Sequence, residues 1–334
     1  MKNCLKITTL ILILSLSINV KSLFSQCKLS TENYNFIRSE LMHWQKLSND
    51  ILLLDFQSLP WLIFFDTTCV WHMGNIPEEI KTGSLSEYKL SFPNHTIIIY
   101  GSPHEGAIHL PNGSDLEIFG QAFTSLDEKE EFPFVVVALI DVWRKLPQLA
   151  QAPDLAGRFK GVVCHELVHT LQLVSVAKKI NELKTKWDLP DYLHDDIIEE
   201  KYKGDSVFLS IYQKELQMFY EAANEQEPIL RDSLISNALS MVRNRKSRFY
   251  TNGNRIYDQI EDLFLNMEGV AVWVSYQIDS GHTSKPPPPS YNSWSQDTGK
   301  ILFHLINIIV PDWIPQVLGP SLASPYDLLE SSIK

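Results

Sequence analysis

Cysteine is scarce in this sequence, and the positions of the few cysteines exclude two classes of protein. Of the four cysteines, Cys4 lies in the N-terminal segment, which leaves Cys27, Cys69 and Cys164 for the rest of the chain. Three cysteines at these spacings form neither the framework of a disulfide-stabilised domain nor a zinc ribbon. A Cys27–Cys69 disulfide is compatible with an exported protein, but the sequence does not require it. We expect Cys164 to be a small buried side chain.

Basic residues are also fewer than acidic ones. The chain has 29 Lys and Arg residues against 40 Asp and Glu residues, so its formal net charge is −11. A strongly acidic surface repels nucleic acid and anionic membranes, which argues against both as partners. The clustered basic residues Arg243, Arg245 and Arg248 are expected to lie on a solvated face. The sequence also lacks a Gly-rich phosphate-binding loop.

The long apolar run of the sequence lies at the N-terminus, from Ile7 to Val20, and follows two lysines. It predicts a secretory signal peptide over residues 1–26, because the run is short for a membrane span. Such a signal would export the protein to the periplasm, the cell surface or the medium, with cleavage near residue 26. Cleavage would remove three lysines and no acid, which takes the net charge from −11 to −14. An uncleaved anchor and a lipid anchor on Cys27 are weaker alternatives.

Short patterned segments make up the rest of the chain and predict an α+β fold. A helical pattern covers residues 29–55. Strands are predicted, from alternating and β-branched residues, over segments 60–73, 88–92, 96–100 and 106–110. The apolar segment 133–146 fits a strand or a helix, and the spacing of Asp141 and Arg144 favours a helix. From residue 153 onward the pattern is mainly helical.

Residues 164–172 contain the H-E-x-x-H motif of zinc hydrolases, His165-Glu166-Leu167-Val168-His169. On a helix, His165 and His169 lie one turn apart on one face, where two imidazoles can bind one metal ion. Glu166 projects about 100° away, where a carboxylate can accept a proton from water. The surrounding apolar residues predict a buried helix, with Asp154 as its N-cap. The motif therefore predicts one Zn²⁺ per chain.

A catalytic zinc usually has three protein ligands, so the motif helix needs a third ligand from another segment. Residues 257–273 predict a helix with a buried apolar stripe, and Glu268 lies at the edge of that stripe. Gly269 and Ala271 beside it are small enough to let another helix approach, which makes Glu268 the favoured ligand. The competitors are Glu261, Asp262, His282 and His304. Glu261 shares the face of Glu268 but is expected to be solvated.

These two stretches, His165-Glu166-Leu167-Val168-His169 and the later Glu268-Gly269-Val270-Ala271, resemble the gluzincin group of zinc metallopeptidases, in particular uncharacterised members with an E-G-x-A third-ligand motif. The resemblance covers roughly residue 153 to the end. It implies a zincin-like fold, in which a small mixed or antiparallel sheet packs on the motif helix and a mainly helical part follows. It also implies zinc bound by His165, His169 and Glu268, with Glu166 as general base. Thermolysin-like members carry an acid at the position of Val272.

The predicted function is that of a secreted zinc-dependent hydrolase, a peptidase acting on a peptide or protein substrate. The candidates for stabilising the oxyanion are Tyr250, Tyr257, Tyr276 and His282. Two alternatives stay open: an exported binding protein that retains metal without catalysis, and a zinc hydrolase of non-peptide substrates. The predicted organisation is a helix and sheet part at residues 27–152 and a helical part at residues 153–334, which can together form one catalytic domain.

Overall fold

The computed structural model describes residues 27–56, 58–93, 95–187, 193–280, 286, 288–289 and 294–333. The predicted signal peptide, residues 1–26, and the oxyanion candidate His282 lie outside the described residues. Within the described ranges, no helix is both long enough and apolar enough to cross a membrane.

The strands of the described residues lie in two sheets. They are β1 (Trp61–Phe65), β2 (Cys69–Met73), β3 (Ser86–Ser91), β4 (Thr96–Pro103), β5 (Ala107–His109), β6 (Asp115–Glu117), β7 (Ala122–Leu126) and β8 (Pro133–Ala138). Six of them form one sheet in the order β3-β4-β2-β1-β8-β7, and β5 pairs with β6 separately. Each segment predicted to be a strand contains at least one strand.

The α-helices account for most of the chain after residue 153. They are α1 (Thr31–Leu47), α2 (Glu78–Gly83), α3 (Ile140–Trp143), α4 (Leu155–Arg158), α5 (Val162–Lys184), α6 (Ile197–Tyr202), α7 (Ser206–Asn224), α8 (Pro228–Phe249), α9 (Ile256–Ser280), α10 (Trp294–Ile309), α11 (Ile314–Leu318) and α12 (Pro325–Ser332). The predicted α+β class, a sheet in the N-terminal half and a mostly helical C-terminal part, is confirmed.

The chain packs as two compact units, each made of separate stretches of sequence. Among the described residues, the first unit consists of those within 27–38, 57–121 and 136–156, and the second of those within 39–56, 122–135 and 157–333. The last boundary lies close to the predicted one between residues 152 and 153. The second unit also contains the end of α1, strand β7 and the start of β8.

In the first unit, β2 pairs antiparallel with β1 on one side and with β4 on the other. All five residues of β2 are buried. The turn between β1 and β2 is held by the buried carboxylate of Asp66. This carboxylate accepts hydrogen bonds from the backbone nitrogens of Thr68 and Cys69 and from the indole nitrogen of Trp71, each at 2.8 Å. Because it accepts these hydrogen bonds, the carboxylate can be buried.

Cys27 and Cys69 form a disulfide in the first unit, with their Cα atoms 5.9 Å apart. The sequence left this pairing open. Because its sulfur is part of the disulfide, Cys27 has no thiol to carry a lipid, and the structure thus argues against the lipid-anchor alternative. Cys164 is a free buried cysteine, as predicted.

Two local predictions are wrong. Residues 133–138 form strand β8, and only residues 140–143 of that segment form a helix. The residues of β8 after Pro133 are all buried, and a strand buried on both faces shows a continuous apolar run instead of alternation. Asp154 is not the N-cap of the motif helix, because α5 begins later, at Val162, after Gly161.

A buried ion-pair cluster links three helices of the second unit. Arg245 of α8 is 1 % exposed, and its guanidinium binds Glu215 of α7 at 2.9 Å and Glu261 of α9 at 2.7 Å. The hydroxyl of Tyr250 also donates to Glu261. The predictions that Arg245 lies on a solvated face and that Glu261 is solvated are therefore wrong. These charges tolerate burial because each is paired and hydrogen-bonded.

Candidate metal site

Helix α5, which carries the H-E-x-x-H motif, begins at a glycine and is capped by a distant carboxylate. Gly161 has a φ of 87°, in the left-handed region that favours glycine, and no side chain of the segment caps the helix. The carboxylate of Glu40 in α1 accepts hydrogen bonds from the backbone nitrogens of Gly161, at 2.9 Å, and Val163, at 3.1 Å. A negative charge at this end of a helix is stabilising. Glu40 thus fixes the start of the turn that leads to the motif.

Helix α9, which carries Glu268, crosses α10 at two glycines. A Cβ atom on Gly269 would lie 2.6 Å from the Cα atom of Gly299. This is the close helix approach that Gly269 was expected to permit. Glu268, the residue before Gly269, is thereby held at a fixed depth in the second unit.

The side chains of His165, His169 and Glu268 converge, with ligand atoms within 4.8 Å of one another. The Nε2 atom of His165 lies 3.5 Å from Glu268 Oε2, and the Nε2 atom of His169 lies 3.4 Å from Glu268 Oε1. The two Nε2 atoms are 2.9 Å apart. The structure therefore brings together the three residues predicted as ligands, while their role as ligands stays a prediction.

This donor set fits zinc in its chemistry and in two of its three spacings. Two imidazole nitrogens and one carboxylate oxygen are ligands of catalytic zinc sites. A tetrahedral zinc with bonds of about 2.0–2.2 Å separates its ligand atoms by about 3.3–3.6 Å. Both histidine-to-glutamate separations, 3.5 and 3.4 Å, fall in that range, and the 2.9 Å between the two imidazole nitrogens is below it.

Burial and mutual contact set the charges of the three groups. Burial lowers the pKa of His169 to about 4, which keeps the imidazole neutral and its lone pair available. Burial also acts to lower the pKa of His165, but interaction with Glu268 outweighs it and the pKa is raised. For Glu268, burial acts to raise the pKa, but His169 and His165 outweigh it and the pKa is lowered. Glu268 is therefore charged at neutral pH, as a metal ligand must be.

A buried amide pair ties the two ligand-bearing helices together. Gln172 of α5 donates from Nε2 to Oδ1 of Asn266 in α9 at 2.8 Å, and both residues are fully buried. Nδ2 of Asn266 in turn donates to the backbone oxygen of Ala323 at 2.7 Å. Gln172 lies one turn after His169 and Asn266 lies two residues before Glu268, so this contact fixes the spacing between the histidines and the glutamate.

Glu166, the residue between the two histidines, is bound from strand β7. The hydroxyl of Thr124 lies 2.8 Å from Oε2 of Glu166. Burial raises the pKa of Glu166, although the nearby His165 and the hydrogen bond from Thr124 act in the opposite direction. A carboxylate with a raised pKa is better matched to proton transfer near neutral pH than an ordinary one.

Two further side chains belong to the surroundings of the site and were missed in the sequence. Gln296, in the first turn of α10, acts to lower the pKa of Glu268. The charge of Asp195, just before α6, acts to raise the pKa of His165, and Glu268 acts to raise the pKa of Asp195. Asp195 thus supplies an acidic charge that acts on His165, whereas Val272, at the position where thermolysin-like proteins carry an acid, supplies none. Neither residue stands in a recognisable motif, so no sequence signal pointed to them.

A second group of potential ligand atoms, from His194, Asp195 and Asp196, consists of consecutive, half-buried residues. The Nε2 atom of His194 lies 3.2 Å from the carboxylate of Glu200, which engages one ring nitrogen. Partly exposed acidic groups commonly exist without a metal, so the group around Glu268 is the better candidate.

The structure separates the competitors for the third ligand position. Glu261 is bound by Arg245, and Asp262 is bound by Lys246 at 2.6 Å. His304 is buried in α10, and burial lowers its pKa, as expected of a core histidine. Within the described part of the chain, Glu268 is the candidate that meets both motif histidines.

The structure removes one of the oxyanion candidates. The hydroxyl of Tyr250 is buried and donates to Glu261, which removes it from the candidates. The ammonium of Lys201 lies 4.5 Å from the ring centre of Tyr257. Tyr276 is half-buried in α9, about two turns after Glu268. These contacts assign neither of the two remaining tyrosines to the role.

Comparison of the chain with protein-family models, with curated proteins and with solved structures gave no match.

Proposed function

We propose that the protein is an exported zinc-dependent hydrolase that cleaves peptide bonds. The observation that carries the proposal is the convergence of His165, His169 and Glu268, while Glu166 is bound by Thr124 and stays outside the ligand set. A ligand set with a spare carboxylate beside it is the arrangement that metal-assisted hydrolysis needs.

Each residue then has a distinct task. His165, His169 and Glu268 hold the zinc ion, and a bound zinc supplies a Lewis acid that polarises a carbonyl and lowers the pKa of water. Glu166 takes the proton from the attacking water and passes it to the leaving amine. The side chain of His165 is 19% exposed, against 9% for His169, so His165 is the more accessible of the two histidines.

Export is part of the proposal. The apolar run at residues 7–20 follows the layout of a signal peptide. The Cys27–Cys69 disulfide supports export, because disulfides persist in oxidising compartments.

Metal analysis and a cleavage assay test the proposal together. We expect the purified protein to contain one zinc per chain and to cleave members of a diverse peptide library in a reaction that a chelator stops and added zinc restores. Glu166→Gln should retain zinc and lose a factor of about 10²–10⁴ in kcat, because its role is proton transfer. A protein that carries no zinc refutes the proposal, and zinc without cleavage would favour a metal-retaining binding protein.

A matched pair of substitutions tests the ligand set. Glu268 and Glu261 are buried glutamates on the same helix, seven residues apart. We expect Glu268→Gln to weaken zinc binding strongly, because it removes a ligand charge. Glu261→Gln should leave the zinc affinity of the folded protein unchanged. The opposite pattern would move the third ligand to Glu261.

A further inference from the structure

Thr124, in the middle of strand β7, contacts Glu166 twice. Its hydroxyl oxygen lies 2.8 Å from Oε2 of Glu166 and 2.8 Å from the backbone oxygen of the same residue. Both residues belong to the second unit, where β7 packs along α5. Glu166 is only 7% exposed, and a buried carboxylate without a hydrogen-bond donor is costly. The hydroxyl therefore determines which way the carboxylate points.

We propose that Thr124 is a positioning residue for Glu166, whose hydroxyl holds the general base in the orientation in which it takes a proton from water. The inference rests on the proposed function and deepens it, because it assigns a task in the reaction to a residue of the sheet. Orientation matters in such a step, since a proton is transferred only over hydrogen-bond distances.

A hydroxyl suits this task because it can donate a hydrogen bond to one carboxylate oxygen and leave the other free to react. The hydroxyl of Thr124 donates to Oε2, and Oε1 takes the proton from water. In the resulting carboxylic acid, Oε2 is the carbonyl oxygen and still accepts from Thr124. The proton then passes from Oε1 to the leaving amine, and Glu166 is again a carboxylate. The same contact holds the side chain before and after the transfer.

Two substitutions at one position separate the hydroxyl from the shape of the side chain. Thr124→Val keeps the shape and removes the hydroxyl, and we expect a loss of about 10- to 100-fold in kcat with KM and zinc content near the wild-type values. Thr124→Ser keeps the hydroxyl and should recover most of the activity. Unchanged kcat in Thr124→Val, or an equal loss in Thr124→Ser, overturns the proposal.

Ser125→Ala is the matched control, because Ser125 follows on the same strand and points to the opposite face. Its hydroxyl lies 3.5 Å from the backbone oxygen of Leu126. We expect its kcat to equal that of the wild type. A loss in Ser125→Ala as large as that in Thr124→Val would show a general effect of the strand and overturn the proposal.

A positioning role also predicts that the effects of two substitutions do not multiply. In a Glu166→Gln background, Thr124→Val should lower kcat by no more than about two- to threefold, because the base it positions is already lost. A structural role would lower kcat by the same factor in both backgrounds. That result would overturn the proposal.

Crystal structures give a readout that does not depend on activity. We expect the carboxylate of Glu166 to rotate away from its position in Thr124→Val and to keep it in Thr124→Ser. An unmoved carboxylate in Thr124→Val overturns the proposal. If the wild type neither binds zinc nor cleaves peptides, the proposed function fails, and the crystal structures still decide whether Thr124 orients Glu166.

Discussion

The contact between Gly299 and Gly269 gives the sharpest stability prediction. A Cβ atom on Gly299 would lie 2.3 Å from the Cα atom and 2.9 Å from the nitrogen of Gly269, and 3.0 Å from the backbone oxygen of Leu265. All three are backbone atoms, so no side chain can rotate away. Ordinary carbon contacts are about 3.5–4.0 Å long, and Gly299→Ala must therefore push α9 and α10 apart by about 1 Å.

The expected cost follows from two opposing effects. Overpacking a close contact costs about 1–3 kcal/mol, and a clash with backbone belongs at the upper end. Alanine recovers about 1 kcal/mol of helix propensity relative to glycine. We expect Gly299→Ala to lower the free energy of unfolding by about 2 kcal/mol. Zinc affinity should also fall by about 10- to 100-fold, because Glu268 is the neighbour of Gly269 and would move with it. Substitution of residues that hold a metal ligand in place typically has an effect of this size.

Denaturant unfolding of the zinc-free protein and zinc titration against a competing chelator measure these two effects. Gly83→Ala is the control, because Gly83 is also in a helix and a Cβ atom there would meet no atom within 4 Å. We expect the control to bind zinc like the wild type and to be at least as stable, by up to about 1 kcal/mol, because it gains helix propensity without a clash. If Gly299→Ala unfolds at the wild-type denaturant concentration and binds zinc with wild-type affinity, the reasoning is wrong.

Three further predictions concern buried charges. Glu40→Ala should lower the free energy of unfolding by about 1–3 kcal/mol in urea, because it uncaps α5 at Gly161. Glu261→Gln should lower it by about 3 kcal/mol in the same assay, because Arg245 loses a buried charge partner. Burial lowers the pKa of His72 to about 4. Since the unfolded chain then binds the proton first, stability should fall by up to about 3 kcal/mol as the pH drops from about 6.5 to about 4, and His72→Gln should remove that part of the pH dependence.

Each of these has an outcome that contradicts it. Glu40→Ala with wild-type stability would show that solvent caps α5 as well as the carboxylate does. Glu261→Gln with wild-type stability would show that Arg245 finds another partner. A His72→Gln variant with an unchanged pH dependence would assign the acid sensitivity to other groups. We expect His72 to contribute to the acid sensitivity because the indole of Trp61 donates to its Nδ1 atom at 3.1 Å, and this hydrogen bond requires a neutral ring.

The parts of the site that sequence could predict are those that depend on local spacing. The turn between His165 and His169 follows from the helical period, and the small residue after Glu268 indicated a close helix contact, which Gly299 supplies. The choice between Glu261 and Glu268 could not come from spacing, because both lie on one face of α9. Glu261 is excluded because Arg245 binds it, and no local sequence pattern shows that Arg245 is buried.

Other features were hidden for different physical reasons. Strand β8 was predicted as a helix because a fully buried strand has no alternation to detect. The cap from Glu40 comes from a residue 121 positions before Gly161, and the hydrogen bond from Thr124 comes from 42 positions before Glu166. Such contacts are products of the tertiary fold, and each partner alone is an ordinary residue.

The cap from Glu40 also bears on how the helical part can be isolated. A fragment of residues 153–334 contains the motif histidines and Glu268, but it lacks Glu40 and Thr124. In that fragment the first backbone nitrogens of α5 lose their acceptor, and Glu166 loses its hydrogen-bond donor. A chain cut at residue 153 would therefore contain all the proposed ligands but a frayed motif helix. Any minimal version of the site has to include the residues from Ser39 onward.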